Sequence, residues 1–217
     1  EKMKITLHTD RSYRIKRFGY YFRTVRHALR NSVAAGAYLG LAFDRLLRVD
    51  SALPHMLYVE LSNVCNTRCV YCPYPAYRFD EPFLHEDVLE KIIESLSHQP
   101  VDKIIIGGGE PTLHPEFDAF ARRLKHCAKF LSVVTNGQWT DVRITEALAD
   151  GTFDLVEVSV DAGGKEEYEK AREGARYDRL ITNLRMLERV KRASRSETLI
   201  GIRLMVRPSL RESERQY

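Results

Sequence analysis

The stretch LYVELSNVCNTRCVYC, residues 57–72, joins an alternating run of apolar and polar residues to a cluster of cysteines. The alternation has the period of two that is typical of a half-buried β-strand. Cys65, Cys69 and Cys72 follow in the pattern C-x3-C-x2-C, and the prolines at 73 and 75 predict that this segment is an irregular loop. Three of the four cysteines in the chain therefore lie on one loop that follows a strand.

Three thiolates are one ligand short of the closed, four-ligand site that structural zinc requires. His85 and His114 follow the loop, but neither has the spacing of a zinc ligand. On a four-iron cluster, three cysteines leave one iron without a protein ligand, and that iron can bind a substrate or a cofactor. The spacing favours such a cluster, and a zinc site with a distant fourth ligand remains the alternative.

The 217-residue chain is long enough for one large domain, or for one domain with an extension, and its 44% hydrophobic content excludes a disordered chain. The clustered cysteines make a poor disulfide framework and indicate a reducing compartment. The first ten residues lack the apolar core of a signal peptide. The longest mostly apolar run, residues 33–43, is about half of the ~20 residues that span a bilayer. We therefore expect a cytoplasmic protein.

The positive charge is concentrated at the N-terminus, where residues 1–55 hold eleven Lys and Arg against four Asp and Glu. Residues 11–49 show helical spacing and Pro54 ends the segment, so we expect a basic helical extension at 1–55 before a main domain at 56–217. Its basic face could bind a phosphate, an acidic peptide or a membrane surface, or simply face solvent. Nucleic acid is not an expected partner, since no recognised motif is present, although the aromatic run 20–22 leaves that alternative open.

Strand-like and helix-like patterns alternate from residue 57 onward. The predicted strands are 57–62, 103–107, 130–135, 155–160 and 199–206. The predicted helices are 86–97, 115–128, 142–150, 166–172 and 179–193, with another beginning at 210. This alternation indicates an α/β fold of parallel strands, in either a doubly wound open sheet or a curved barrel. In both arrangements the functional residues lie beyond the carboxyl ends of the strands.

Polar residues stand at the carboxyl ends of the predicted strands. GGGEPT, residues 107–112, follows the second strand and places Glu110 after three glycines. TNG at 135–137 and SVDA at 159–162 end the third and fourth strands, and Arg203 lies in the apolar fifth strand. Each could be a turn, a helix cap or a surface residue. Together, at successive strand ends, they indicate one site.

The sequence resembles the radical S-adenosylmethionine (radical SAM) enzymes over about residues 56–217. The motif C-x3-C-x-Tyr-C, with Tyr71 before the last cysteine, matches the cluster loop of that family, and GGEP at 108–111 matches its second motif. The runs 135–137 and 159–161 resemble its later strand-end motifs. The resemblance implies a partial (β/α)6 TIM-like barrel, of which five βα units are visible.

The resemblance also implies a [4Fe-4S] cluster on Cys65, Cys69 and Cys72, whose free iron chelates S-adenosylmethionine. Glu110 and the glycine backbone would hold the methionine ammonium, and the Tyr71 backbone would lie near the adenine. Ser159 and Asp161 would contact the ribose or the carboxylate, which Arg203 would also reach. The residues implied to bind the cofactor are Tyr71, Gly107, Gly108, Gly109, Glu110, Asn136, Ser159, Asp161 and Arg203.

The activity implied is reductive cleavage of S-adenosylmethionine to a 5′-deoxyadenosyl radical, which abstracts a hydrogen from the substrate. The electron would come from a donor such as flavodoxin or ferredoxin. Members of the family with a C-terminal auxiliary-cluster domain, of the SPASM or twitch type, modify ribosomal peptides or sugar-like alcohols. Cys127, in RRLKHCAKF, reads as a buried packing residue, so such a domain would follow Tyr217, and we expect the core to be truncated here.

Two alternatives to an active enzyme remain. One is a non-catalytic zinc- or iron–sulfur-binding module that meets a partner or nucleic acid through its basic N-terminal region. The other is a degenerate homologue that retains the motifs without turnover. Glu110 argues against the binding module, because a zinc scaffold has no use for a carboxylate that faces the metal loop.

Overall fold

The computed structural model describes residues 54–74, 80–162 and 164–204. The basic extension predicted for residues 1–55 lies outside these ranges except for its last two residues, and so does the helix predicted to begin at 210. Within the described ranges, no helix combines the length and the apolar character needed to cross a bilayer.

Five parallel strands form the central sheet. They are β1 (Met56–Ser62), β3 (Val101–Gly108), β4 (Ala128–Thr135), β5 (Leu155–Ser159) and β7 (Leu199–Arg203). Their spatial order is β1-β3-β4-β5-β7, so each strand in the chain is added beyond the one before it. A doubly wound sheet reverses this order at a switch point, whereas a barrel does not. The winding is that of a barrel, which confirms the predicted α/β fold.

Five helices connect these strands. They are α1 (Glu86–Leu96), α2 (Phe117–Lys125), α3 (Val142–Ala149), α4 (Lys165–Ala171) and α5 (Tyr177–Ser194). All five were expected, but α2 ends three residues before its predicted end. The Cys127 carbonyl already accepts from the Val101 amide at 3.0 Å, so sheet pairing begins where the sequence still has helical spacing.

The two faces of the sheet differ in burial. Val59, Leu61, Ile104 and Ile106 are at most 3% exposed and belong to the core shared with the helices. On the opposite face, Tyr58 is 49% exposed, and several of the other side chains on that face are polar. The strands are therefore covered fully on one face only. Nearly continuous apolar runs such as those of β3, β4 and β5 are typical of strands covered on both faces, so the sequence pattern overstates the cover. The second face is the interior of the partial barrel.

A two-stranded antiparallel ribbon was not predicted. It consists of β2 (Arg68–Cys69) and β6 (Arg172–Glu173), with Cys69 opposite Arg172. The Val70 amide extends the pairing by donating to the Ala171 carbonyl at 3.0 Å. The prediction that the whole cysteine segment is irregular was therefore wrong. Its centre is held by hydrogen bonds to the end of α4, which fixes the position of Cys69.

Candidate active site

The cysteine loop leaves β1 against the glycine turn at the end of β3. The Gly109 amide donates to the Ser62 carbonyl at 2.6 Å, and the Glu110 amide donates to the Val64 carbonyl at 2.8 Å. A Cβ on Gly109 would lie 2.2 Å from the Val64 oxygen, so only glycine permits this approach. The GGEP turn thus packs against the cysteine loop and holds it in place.

The three loop cysteines are free thiols, with Cys65 exposed and Cys69 and Cys72 half-buried. The Thr67 hydroxyl lies 3.3 Å from the Cys65 sulfur and 3.7 Å from the Cys69 sulfur. In the described part of the chain, no three metal-ligating side chains are grouped as the ligands of a single ion.

One side-chain nitrogen donor lies near each of two of these sulfurs. Asn136 Nδ2 lies 3.6 Å from the Cys65 sulfur, and a guanidinium N–H of Arg172 lies 3.5 Å from the Cys69 sulfur. Such donors suit an iron–sulfur cluster, whose sulfur atoms carry negative charge and accept hydrogen bonds. The donor set of the loop therefore fits a cluster with three cysteine ligands.

Glu110 is the buried carboxylate at the centre of the site, with 0% of its surface exposed. Its Oε1 accepts from the hydroxyls of Thr112 and Thr135 at 2.6 and 2.8 Å, and its Oε2 accepts from the Asn136 amide at 2.7 Å. No cation lies within ion-pair distance of it among the residues described here. Burial raises the pKa of Glu110, while these hydrogen bonds lower it, and the net pKa stays above the usual value.

Asn136 connects the buried carboxylate to the cysteine loop. Its backbone amide donates to Glu110, while its side-chain Nδ2 donates to Asn66 Oδ1 at 2.7 Å and approaches Cys65. Its Oδ1 accepts from the Gln138 amide at 2.8 Å. The TNG run was expected to reach cofactor groups, and the structure shows its side chains engaged within the protein. A cofactor contact of Asn136 stays a prediction.

Arg172, which no sequence motif singled out, is a second buried charge beside the cysteines. It is 6% exposed and donates through Nε to Asp161 Oδ2 at 2.8 Å, with its Nη2 at 2.5 Å from the same oxygen. The Tyr71 hydroxyl also donates to this oxygen. Asp161 has φ 58°, a left-handed backbone conformation that Asp tolerates better than most residues. Asp161, which was expected to contact the cofactor, thus accepts hydrogen bonds from Arg172 and Tyr71 in the structure.

The remaining predicted residues lie at the same end of the sheet. Ser159, 9% exposed, stands opposite the exposed Arg203 in the register of β5 and β7. Gly107 contacts Tyr58, whose hydroxyl oxygen a Cβ on Gly107 would approach to 1.9 Å, and this oxygen accepts from the Gly108 amide at 3.2 Å. The structure brings these groups to one edge, and their contacts with a cofactor stay predictions.

The sequence model of the Radical SAM superfamily matches residues 59–207 of the chain. The chain therefore belongs to this superfamily. Its members are enzymes that use a [4Fe-4S] cluster and S-adenosylmethionine.

Curated relatives cover only part of this chain. A probable GTP 3′,8-cyclase of Pyrococcus horikoshii is 28% identical over 142 residues, which are 65% of this chain and 42% of that protein. A tungsten-containing aldehyde ferredoxin oxidoreductase cofactor-modifying protein of Pyrococcus furiosus is 34% identical over 107 residues, 48% of this chain and 30% of that protein. The chain thus spans less than half the length of these relatives.

Solved structures share the fold. The structure of anSMEcpe with bound AdoMet aligns with a TM-score of 0.60 and 21% identity, over 74% of this chain and 45% of that one. SuiB of Streptococcus suis, bound to the precursor peptide SuiA, also has a TM-score of 0.60, with 20% identity over 79% of this chain and 37% of that one.

Proposed function

We propose that this chain is the catalytic core of a radical SAM enzyme, with a [4Fe-4S] cluster on Cys65, Cys69 and Cys72. The observation that carries the proposal is the position of Asn136, whose side chain approaches Cys65 while its backbone amide donates to Glu110. The cysteine loop and the GGEP carboxylate, 45 positions apart in the sequence, are thereby joined at one end of the barrel. A metal-binding module alone gives no reason for that connection.

The protein residues would bind and orient the cofactor. When bound, the cluster supplies the electron that cleaves S-adenosylmethionine to methionine and a 5′-deoxyadenosyl radical, which takes a hydrogen atom from the substrate. Glu110, which has no described cationic partner, is the proposed counter-charge of the methionine ammonium, since a buried carboxylate is stabilised by a paired cation. Backbone carbonyls of Gly107–Gly109 would accept hydrogen bonds from the same ammonium group, and Tyr71 would lie near the adenine.

Ser159 and Arg203 are proposed to bind the carboxylate or ribose of the cofactor. Their adjacent positions in the register of β5 and β7 support a shared contact. Asp161 and Asn136 are also proposed to contact the cofactor, in addition to holding Arg172 and the cysteine loop in place.

Three substrate classes are candidates. Peptides and sugar-like alcohols follow from the resemblance, and the GTP cyclases among the relatives add a nucleotide. A flavodoxin or a ferredoxin is the proposed electron donor. A cytoplasmic location is proposed because the three loop thiols must stay reduced to bind iron.

The test is anaerobic reconstitution of the protein with iron and sulfide, followed by iron and zinc analysis and incubation with S-adenosylmethionine and dithionite. About four irons per chain together with 5′-deoxyadenosine would support the proposal. Tightly bound zinc without cleavage of the cofactor would overturn it and favour the binding module. Peptide, sugar-alcohol and GTP substrates can then be compared by the 5′-deoxyadenosine each releases above the background.

A further inference from the structure

Arg172 is held against the cluster loop by both backbone and side-chain contacts. It stands opposite Cys69 in the β2–β6 ribbon, and one guanidinium N–H lies 3.5 Å from the Cys69 sulfur. The Nε and Nη2 atoms of the guanidinium contact Asp161, and the ring centroid of Tyr71 lies 5.9 Å from the guanidinium carbon. A planar group with this many fixed partners has one orientation, so its contact with Cys69 is set by the fold.

Arg172 lies between the Cys69 sulfur and the carboxylate of Asp161. A guanidinium keeps its positive charge at every working pH, so Arg172 is a permanent cation beside Cys69. Asp161, 4% exposed, compensates this cation through Nε and Nη2, whereas the Cys69 sulfur is contacted by Nη1.

Hydrogen bonds to cysteine sulfur and nearby charge are two of the factors by which a protein sets the potential of an iron–sulfur cluster. Reduction adds one negative charge to the cluster, and a cation beside a ligand sulfur stabilises that reduced form. The effect is large where the groups are screened poorly by solvent, and Arg172 is 6% exposed.

We infer that Arg172 is a positioning residue that raises the reduction potential of the cluster through its N–H donation to Cys69, and that Asp161 opposes it. The inference rests on the proposed function, because it requires the cluster on the three cysteines. It predicts shifts of opposite sign for the two partners of one ion pair. A purely structural pair would have no such signature.

The test is an EPR-monitored redox titration of the reconstituted protein without S-adenosylmethionine. Arg172→Gln is expected to make the midpoint potential more negative, and a tenfold change in the one-electron equilibrium corresponds to 59 mV. Asp161→Asn is expected to make it less negative. Asn is chosen because it tolerates the left-handed backbone of residue 161.

Two further variants separate the contact from general effects. Arg172→Lys keeps the cation and loses the planar fork, so its potential is expected between wild type and Arg172→Gln. Arg68→Gln removes an exposed cation from the same ribbon, opposite Glu173, and is expected to leave the potential unchanged. If Arg172→Gln does not retain the cluster, the Lys and Asp161→Asn variants still decide the question.

The outcomes separate the two proposals. Wild-type protein that binds no four-iron cluster overturns both the proposed function and this inference. The inference alone is overturned if the cluster in Arg172→Gln or in Arg172→Lys has the same midpoint potential as in wild type. It is also overturned if Asp161→Asn shifts the potential in the same direction as Arg172→Gln. A shift as large in Arg68→Gln as in Arg172→Gln would also overturn it, since charge anywhere on the ribbon would then suffice.

Discussion

Gly109 lies against the backbone of Val64 so closely that a Cβ on Gly109 would be 2.2 Å from the Val64 carbonyl oxygen. We predict that Gly109→Ala separates the GGEP turn from the cysteine loop, because the contact is with backbone that cannot rotate away. The expected result is a cluster that assembles poorly, with well under half of the wild-type iron per chain, and a lower urea midpoint. Iron analysis and urea unfolding measure the two effects.

Gly164→Ala is the matched control for this substitution. A Cβ on Gly164 meets no atom of the described residues within 4 Å, and its backbone is extended. This variant is expected to retain wild-type iron and stability within about 0.5 kcal/mol. Full cluster assembly in Gly109→Ala would contradict the role given to this contact.

Cys69→Ala is predicted to abolish the cluster and all cleavage of S-adenosylmethionine, because two thiolates cannot hold the four-iron group. Cys127→Ala is the control, since Cys127 is 4% exposed in the core and its thiol faces the Arg123 carbonyl at 3.7 Å. That variant is expected to keep its iron while losing some stability. Visible absorbance, iron content and 5′-deoxyadenosine are compared in both. Cofactor cleavage by Cys69→Ala would show that the ligand assignment is wrong.

The strand and helix pattern made most of the barrel predictable, and the reason is physical. Each central strand is one apolar run that buries one face, and each helix has its own periodicity, so local sequence determines them. The ribbon of β2 and β6 has two residues per strand and no periodicity. Arg172 meets Cys69 across 103 positions of sequence, a contact that the fold determines and local pattern does not.

The same distinction applies within the site. The spacing of the cysteines and the GGEP motif identified the loop and its turn. The partners of Asn136 and Asp161 depend on which loops the barrel brings together, so their hydrogen bonds could not be read from their own neighbours in sequence. Both residues follow the ends of strands, where the sequence placed them. Their role at a cofactor site stays a prediction, and the groups that they contact in the structure were not predicted.

Glu110→Ala is predicted to weaken the binding of S-adenosylmethionine by about 1.5–3 kcal/mol, the loss of one charge-assisted hydrogen bond. Isothermal titration of reconstituted protein measures the dissociation constant, and the iron content shows whether the cluster is retained. Thr112→Val is the comparison, since it removes one hydroxyl donor to Glu110 and leaves the carboxylate. Lower stability with unchanged affinity in Glu110→Ala would show that Glu110 supports the fold and does not contact the cofactor.

The affinity for S-adenosylmethionine is also predicted to depend on pH through Glu110. Burial raises the pKa of this carboxyl group in the cofactor-free protein, and an ammonium pairs with the ionised form. Affinity should therefore fall as the pH is lowered through that raised pKa, at a higher pH than an ordinary Glu, about 4.3, would cause. Glu110→Gln should lack this dependence. A wild-type affinity that falls only at the pH of an ordinary Glu, or the same decline in Glu110→Gln, would rule out Glu110 as the titrating group.

Asn183 fixes helix α5 to the loop that follows β4, and its removal tests that attachment. Its Nδ2 donates to the carbonyls of Gly137 and Trp139, both at 2.9 Å, and the residue is 7% exposed. Asn183→Ala leaves two buried acceptors without this donor, which should lower the free energy of unfolding by about 2–3 kcal/mol. Asn63→Ala is the control, because it removes an exposed hydrogen bond from the Asn63 side chain to the Glu81 carbonyl. This substitution should lower the free energy of unfolding by less than about 0.5 kcal/mol. Urea unfolding of the two variants at one pH compares them, and equal midpoints would mean that the Asn183 bonds do not anchor this loop.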